Sequence, residues 1–215
     1  MYARQLGIFN HSTFHTTKFR IIGVGSVGSF LTLALTKMGL TNVTVQDADT
    51  IETHNISNQF YPLLSVGKSK VSTLIDVIAN FSGVVIKTIK KRFQGEELTE
   101  NFVISAVDSL EARKTIWDAV KTDKKVKYYI DTRMGGKLMR IYVVDKTNKK
   151  DVRDYELVLS KPAPLVPIKC TEKTIIFNVM IIAGLTACLV SKILNKTDLP
   201  FESVFDLENL IFMKG

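Results

Sequence analysis

The chain has 215 residues, of which 46% are apolar and 23% are charged. A chain of this length hides roughly 70% of the surface that it exposes when unfolded, so it can form a sizeable core without disulfides or metals. Its composition excludes the disordered, collagen-like and disulfide-rich classes. The net charge of +8 favours an anionic ligand or partner but does not identify one.

The cysteine content indicates the compartment. Cys170 and Cys188 belong to no C-x-x-C motif, and no histidine stands at metal-binding spacing beside them. We therefore expect neither a disulfide framework nor a zinc site. The N-terminal residues lack the apolar core of a signal peptide. We expect a single domain over residues 1–215 in a reducing, cytoplasmic setting.

The first elements in chain order form a βαβ unit. The apolar run from Phe19 to Gly25 predicts a strand that ends in glycines. Apolar positions from Val27 to Met38 recur at helical spacing, which predicts a helix. A second strand follows from Asn42 to Asp47.

The next elements alternate between helices and strands, which predicts a largely parallel α/β sheet. In chain order they are a helix over 71–78, a strand over 84–89, a strand over 101–108, and a helix over 110–120 with Ser109 as its N-cap. Strands over 127–131 and 138–145 follow closely, so we expect them to pair in antiparallel fashion. We interpret residues 146–169, which contain several prolines, as a loop or crossover.

A long apolar segment runs from Ile175 to Leu194. It is about as long as a helix that spans a bilayer, but Asn178, Gly184 and Lys192 interrupt it. Helices that are apolar all round also occur in cores and oligomer interfaces. We interpret the segment as a buried helix, with Cys188 in the core, and we expect no membrane association.

A glycine-rich motif stands between the first strand and its helix. Gly23, Gly25 and Gly28 form G-x-G-x-x-G, and Asp47 ends the next strand. Such glycines allow a tight turn and the close approach of a nucleotide, and amides at a helix N-terminus favour negative charge. An acidic side chain at the position of Asp47 can bind ribose hydroxyls. The motif predicts nucleotide binding and leaves open whether the nucleotide is ATP or a dinucleotide such as NAD.

Further polar residues stand where a phosphate site needs hydrogen-bond donors and cations. Asn55 and Asn58 follow the second strand, and Lys70 stands where the next helix begins. Asp108 ends the 101–108 strand, at the edge of the sheet where ligands bind, and its carboxylate could hold Mg²⁺. Each residue also has a plain structural interpretation. Asn55 could be a turn residue, Lys70 a solvated lysine and Asp108 a cap of its own helix.

Five segments together resemble a known family in order and spacing. They are YARQ (2–5), FRIIGVGSVGS (19–29), VTVQDADTIETHNISNQF (43–60), VGKSKV (66–71) and ISAVDSLEARK (104–114). In these segments the chain resembles the ThiF, MoeB and HesA adenylyltransferases and the adenylation domain of ubiquitin-activating enzymes. The resemblance implies a Rossmann-like, doubly wound α/β fold with a mainly parallel sheet. We place an antiparallel extension of that sheet toward its C-terminal side.

The resemblance also implies an activity. Family members bind Mg-ATP and adenylate the C-terminal carboxylate of a small ubiquitin-like protein, a sulfur-carrier protein or a peptide, and they release pyrophosphate. By position, Asp47 matches the ribose-binding acid, and Asn55 and Lys70 match residues that hold the phosphates. Asp108 matches the acid associated with Mg²⁺. Arg4 matches an arginine that reaches the triphosphate of the neighbouring subunit, so we expect a homodimer.

The chain departs from the family pattern at several positions. Asn58 stands where relatives usually have an arginine that faces the phosphates, and Lys68 or Arg20 could compensate. The paired C-x-x-C motifs of many relatives are absent, so we expect no zinc. Cys170 lies near the place where relatives have a cysteine that takes the acyl group as a thioester. Nearby lysines would favour its thiolate, and a purely structural cysteine is the alternative.

Two other functions stay open. A non-catalytic partner subunit with this fold would explain the loss of the arginine at Asn58. An NAD-dependent oxidoreductase would explain the glycine motif but would leave Lys70 and Asp108 without a role. Lysine clusters over 87–92 and 121–127 are interpreted as solvated edges, so we expect no nucleic-acid partner.

Overall fold

The computed structural model describes residues 2–5, 7–8, 16–160 and 174–215. The strands are β1 (Phe19–Ile22), β2 (Val43–Gln46), β3 (Lys87–Ile89), β4 (Phe102–Ser105), β5 (Tyr128–Gly135), β6 (Leu138–Asp145), β7 (Glu202–Asp206) and β8 (Ile211–Lys214). The α-helices are α1 (Ser26–Lys37), α2 (Lys70–Ser82), α3 (Leu110–Thr122), α4 (Lys149–Ser160) and α5 (Ile176–Leu194). The expected α/β class is confirmed.

The eight strands of the described residues form one sheet, in the order β3-β2-β1-β4-β5-β6-β7-β8. The first five strands of this order are parallel, and the pairs from β5 to β8 are antiparallel. The expected antiparallel extension is therefore confirmed. Strands β2 and β3 lie on one side of β1, and β4 and the later strands lie on the other. The strand order therefore reverses between β1 and β4, and a crevice opens at the carboxyl ends of these two strands.

Both faces of the central strands are buried, which explains their continuous apolar sequences. In β1, Ile21 points into a core with α1, α2 and α5, whereas Ile22 points into a second core with α3 and α4. The second core is rich in aromatic rings: Trp117, Tyr129 and Tyr155 pack with ring centroids 4.8 to 5.5 Å apart. The parallel sheet is thus fixed from both sides beneath the crevice.

The interpretation of residues 146–169 as a loop or crossover is wrong for its first half. Helix α4 occupies 149–160 and packs on β6 and α3. Half of its residues are charged, and its buried side chains, Tyr155 and Leu159, lie one helical turn apart. That spacing was the signal for a helix. The proline-containing remainder, 161–173, lies outside the described residues.

Helix α5 is buried on one side only. Among the described residues it is the helix that is long and apolar enough to cross a membrane, and 50% of its most apolar window is buried inside the protein. The buried side packs against α1, β5 and β6. Phe177, Met180 and Ile181 are exposed on the other side. Cys188 is also exposed, so its interpretation as a core residue is wrong.

A buried ion pair joins β1 to the chain just before β4. Arg20 Nη2 lies 3.0 Å from Glu100 Oε1, and the two side chains are only 6% and 5% exposed. Arg20 Nη1 also donates to Gln46 Oε1 at 2.9 Å. Because its guanidinium is held inside the protein by these contacts, Arg20 does not compensate for Asn58.

We predict that Glu100→Gln lowers the free energy of unfolding by about 3–5 kcal/mol, because it leaves the Arg20 charge buried without its partner. Urea denaturation measures this change. The exposed pair of Lys125 and Glu97, 2.8 Å apart, provides the control, since Glu97→Gln should destabilise the protein far less. Equal costs for the two variants would contradict the structural role of the buried pair.

Candidate functional site

The glycine turn lies at the crevice, directly after β1. Gly23 has φ +89°, and a Cβ on it would come within 2.6 Å of the carbonyl oxygen of Ala106. A Cβ on Gly28 would overlap the carbonyl oxygen of Gly23. These two glycines are therefore required for packing the turn between α1 and the segment that follows β4.

Gly25 differs from the other two glycines. The nearest atom to a Cβ built on it is Gln59 Nε2, 3.8 Å away, so the protein leaves space in front of this residue. Gly25 is also the N-cap of α1, which has no side-chain cap and no acidic residue in its first turn. The N–H groups of that first turn lack partners within the helix and carry partial positive charge. The space beside Gly25 is therefore suited to an anion such as a phosphate.

Asp47 holds the turn and the polar segment after β2 together. Its Oδ2 accepts from the Val24 N–H at 2.9 Å, and its Oδ1 accepts from the Asp49 N–H at 2.8 Å. On the other side of the turn, the Tyr61 hydroxyl donates to the Val24 carbonyl at 2.6 Å. Burial, together with the charge of Asp47, raises the pKa of Tyr61, so this hydroxyl stays protonated as a donor. The role of Tyr61 has no signature in the sequence.

Lys70 is the first residue of α2 and is buried beside Asp49. Its Nζ lies 3.1 Å from Asp49 Oδ2, and its side chain is 8% exposed, so the interpretation as a solvated lysine is wrong. The Lys70 N–H also donates to the Asp49 carbonyl at 3.0 Å. A continuous series of contacts thus runs from the glycine turn through Asp47 and Asp49 to Lys70.

Several polar atoms near this edge lack partners among the described residues. Asn55 is a buried turn residue whose Oδ1 accepts from the Glu52 N–H at 3.0 Å. In contrast, Asn58 Oδ1 and Gln59 Oε1 are buried and lack partners among the described residues, as does the hydroxyl of Ser69, just before Lys70. Buried polar atoms are costly without a partner. A polar ligand in the crevice would provide partners for them.

Asp108 lies at the same edge, and its carboxylate has no partner among the described residues. It is exposed and makes no hydrogen bond or ion pair to the described residues. Ser109 caps α3, because its Oγ accepts from the Ala112 N–H at 3.1 Å. The expected cap is confirmed, and the alternative interpretation of Asp108 as that cap is wrong. In the described part of the chain, no three acidic, histidine or cysteine side chains are grouped as a metal site. Asp108 could contribute one ligand to Mg²⁺, an ion that commonly takes its others from phosphates and water.

Arg113 belongs to the segment 104–114 that resembles the family, and the sequence alone assigns it no role. It is buried, and its guanidinium donates to the carbonyls of Val107 and Thr132 and to the carboxylate of Asp131. It therefore holds the backbone on the N-terminal side of Asp108. The five-residue interval between Asp108 and Arg113 was the available signal, but the partner carbonyls are not encoded by any local pattern.

Arg4 is not part of this cluster. Arg4 is exposed in a short 3-10 helix (Ala3–Gln5), and Gln5 Nε2 donates to the Lys37 carbonyl at the C-terminal end of α1. The glycine turn lies at the other end of α1, about 18 Å away for a helix of this length. Arg4 therefore lies far from the crevice of its own chain. Cys170 lies outside the described residues.

Residues 2–212 match the ThiF family. Two curated relatives are the tRNA threonylcarbamoyladenosine dehydratase of Bacillus subtilis (strain 168), which is 32% identical over 97 residues, and ubiquitin-like modifier-activating enzyme 5 of Caenorhabditis elegans, which is 28% identical over 144 residues. The matches cover 45% and 59% of this chain but 38% and 34% of those proteins. The chain therefore spans only about a third of the length of these relatives.

Solved structures share the fold across almost the whole chain. Crystal structures of E. coli MccB and of PaaA superpose with TM-scores of 0.75 and 0.74 at 14% and 19% sequence identity. Each match covers 94% of this chain and 63% or 64% of the other. MccB has also been crystallised with ATP, and with AMPCPP and MccA. At these identities the likeness concerns the fold alone, and it confirms the expected α/β architecture.

We predict that alanine substitutions at Gly28 and at Gly25 have different effects on the free energy of unfolding. Gly28→Ala should lower the free energy of unfolding by about 3 kcal/mol or more, because the added methyl group overlaps backbone that cannot move freely. Gly25→Ala should change it by less than about 1 kcal/mol, since the added methyl meets open space. Urea denaturation of both variants measures the difference. Equal destabilisation would mean that the turn is packed differently.

Proposed function

The chain belongs to the ThiF family, and on this basis we propose that it is an ATP- and Mg²⁺-dependent adenylyltransferase. Its substrate would be the C-terminal carboxylate of a ubiquitin-like protein, a sulfur-carrier protein or a peptide. The observation that carries the proposal is the open space at Gly25, with the uncapped end of α1 on one side and unpaired polar atoms on the other. That combination suits a nucleoside triphosphate.

Different residues around the crevice would bind different parts of the nucleotide. The glycine turn would receive phosphate groups on its N–H donors, and Asp47 lies where a ribose would meet an acid. Lys70 brings a positive charge that Asp49 already holds in place. Asp108 would hold Mg²⁺, which supplies charge neutralisation to the triphosphate when bound. These residues would thus provide positioning and electrostatics, which are the main contributions that phosphoryl chemistry needs.

The reaction requires little acid–base catalysis. The attacking group, a C-terminal carboxylate, is already ionised at neutral pH, so no residue has to remove a proton from it. The barrier is the approach of one anion to another, and cations lower it. Asn58 contributes an amide where relatives usually have an arginine, so the positive charge for this step would come from Lys70, Mg²⁺ and an arginine of a second chain.

A homodimer is part of the proposal. Arg4 is exposed at the far end of α1 from its own crevice, so it could reach a triphosphate only in another subunit. Phe177, Met180 and Ile181 on the open side of α5 are apolar and exposed, and a second copy of the chain would cover them. Burial of such side chains stabilises association.

The second candidate function is a non-catalytic partner subunit. It is favoured by Asn58, whose amide replaces the usual arginine. Retention of the buried Lys70, which is paired with Asp49, and of an Asp108 without a hydrogen-bond partner argues for catalysis. Thioester formation on Cys170 is a further step within the leading proposal, and Cys170→Ser should abolish a thiol-sensitive adduct without affecting adenylation.

We predict that Asp108→Asn lowers ATP–pyrophosphate exchange by about 100-fold, because the charge that would hold Mg²⁺ is lost. The assay uses small proteins that end in Gly-Gly and are encoded near this chain. Asp118→Asn, an exposed position on α3, is the matched control and should exchange like the wild type. Unchanged exchange in Asp108→Asn would contradict the assignment, and no exchange by the wild type with any such carrier would favour the non-catalytic alternative.

We also predict that Arg4→Ala and Asp108→Asn, each inactive alone, complement each other when mixed. A mixed dimer would contain one complete site, so random exchange of subunits should restore about a quarter of the wild-type activity. Pyrophosphate exchange after mixing measures the recovery. Absence of recovery, with subunit exchange verified, would contradict action of Arg4 across the dimer.

A further inference from the structure

We propose that Arg113 is a positioning residue that determines the position of the Asp108 carboxylate. Asp131 and Tyr155 hold the Arg113 guanidinium in the orientation that this role needs. The inference rests on the proposed role of Asp108 toward Mg²⁺. Arg113 itself touches neither the glycine turn nor the space beside Gly25. It acts through the backbone of the segment that links β4 to α3.

Arg113 joins two segments of backbone with one planar group. Its Nη2 donates to the carbonyl of Val107, and its Nη1 donates to the carbonyl of Thr132 at 3.0 Å. Its side chain is 8% exposed. Because the donors of a guanidinium are fixed in one plane, the distance between the segment after β4 and strand β5 is fixed as well.

Asp131 fixes the orientation of that guanidinium. It is fully buried and pairs with Arg113 through one carboxylate oxygen. Its other oxygen accepts from Arg133 Nε at 2.7 Å and from the Tyr155 hydroxyl at 2.9 Å. A buried carboxylate with this many partners has little freedom to rotate. The Arg113 guanidinium is therefore held in one orientation by a carboxylate that is itself fixed.

Tyr155 extends the support to a third element. It belongs to α4, and its ring packs against Trp117 of α3 at 4.8 Å and against Tyr129 of β5 at 5.2 Å. Burial and the neighbouring Asp131 raise the pKa of Tyr155, so its hydroxyl remains a donor. Three elements thus converge on the carboxylate of Asp131.

Asp108 depends on this support because its own side chain makes no hydrogen bond or ion pair to the described residues. The last backbone hydrogen bond between this segment and β1 runs from the Ala106 N–H to the Ile22 carbonyl at 2.9 Å. After it, Arg113 holds the Val107 carbonyl, and the cap formed by Ser109 begins α3. Asp108 lies between these two fixed points, so loss of either would displace its carboxylate.

The test compares Arg113→Gln with Arg20→Gln. Both changes remove a buried arginine from an ion pair, but the pair of Arg20 and Glu100 does not touch the segment after β4. We expect both variants to lose stability. Only Arg113→Gln should raise the Mg²⁺ concentration that half-saturates calorimetric ATP binding, by about 10- to 100-fold, as for residues that orient a metal ligand. It alone should speed amide hydrogen exchange in residues 106–109 without nucleotide.

Two milder variants keep the inference testable if Arg113→Gln does not fold. Tyr155→Phe removes one donor to Asp131, whereas Tyr142→Phe removes a hydroxyl of the same aromatic cluster that interacts with Glu202 and Arg140 instead. We expect a smaller rise in the Mg²⁺ requirement for Tyr155→Phe and none for Tyr142→Phe. Arg113→Lys keeps the charge but cannot hold both carbonyls, so it should not restore the wild-type requirement.

The outcomes separate this inference from the proposed function. If the wild type shows no Mg²⁺-dependent binding of ATP, the proposed function fails, and hydrogen exchange in residues 106–109 still tests the contact of Arg113. If the wild type binds Mg-ATP and the Arg113 and Tyr155 variants match their controls in both measurements, the positioning role is overturned. A wild-type Mg²⁺ requirement in Arg113→Lys would overturn it too, because charge alone would then suffice.

Discussion

The structure depends on the close contact between the glycine turn after β1 and the segment after β4. Gly28 lies against the carbonyl of Gly23, and Gly23 lies against that of Ala106, so no side chain separates the two segments. This contact brings the start of α1 and the neighbourhood of Asp108 to one crevice. The topology places a crevice here, because the strand order reverses between β1 and β4.

Around that contact, each polar residue is held by another part of the chain. Asp47 fixes the turn, Asp49 fixes Lys70, and Arg113 fixes the backbone before Asp108. The groups that face the crevice, in contrast, lack partners among the described residues: the first-turn amides of α1 have no side-chain cap, and Asn58 Oδ1 is unpaired. This division between supported and free groups is what pre-organised binding requires, since the supporting contacts reduce the entropy lost when a ligand binds.

The sequence predicts those parts of the site that depend on local chemistry. The strand, glycine turn and helix around Gly25 are neighbours in the chain, so spacing alone indicates them. The contacts of Tyr61 and Arg113 join distant segments, and no local pattern encodes them. Helix α4 was missed because its charged residues hide a narrow apolar side. The exposure of Cys188 was missed because α5 is apolar all round, and periodicity cannot then tell its buried side from its open side.

The proposed function requires that the space beside Gly25 bind the phosphates of ATP. A calorimetric titration of the full chain with Mg-ATP, repeated with NAD and with the Gly25→Ala variant, tests it most directly. We expect one ATP bound per chain, no binding of NAD, and loss of ATP binding in Gly25→Ala with the fold intact. Binding of NAD in place of ATP, or unchanged ATP binding by Gly25→Ala, would contradict it.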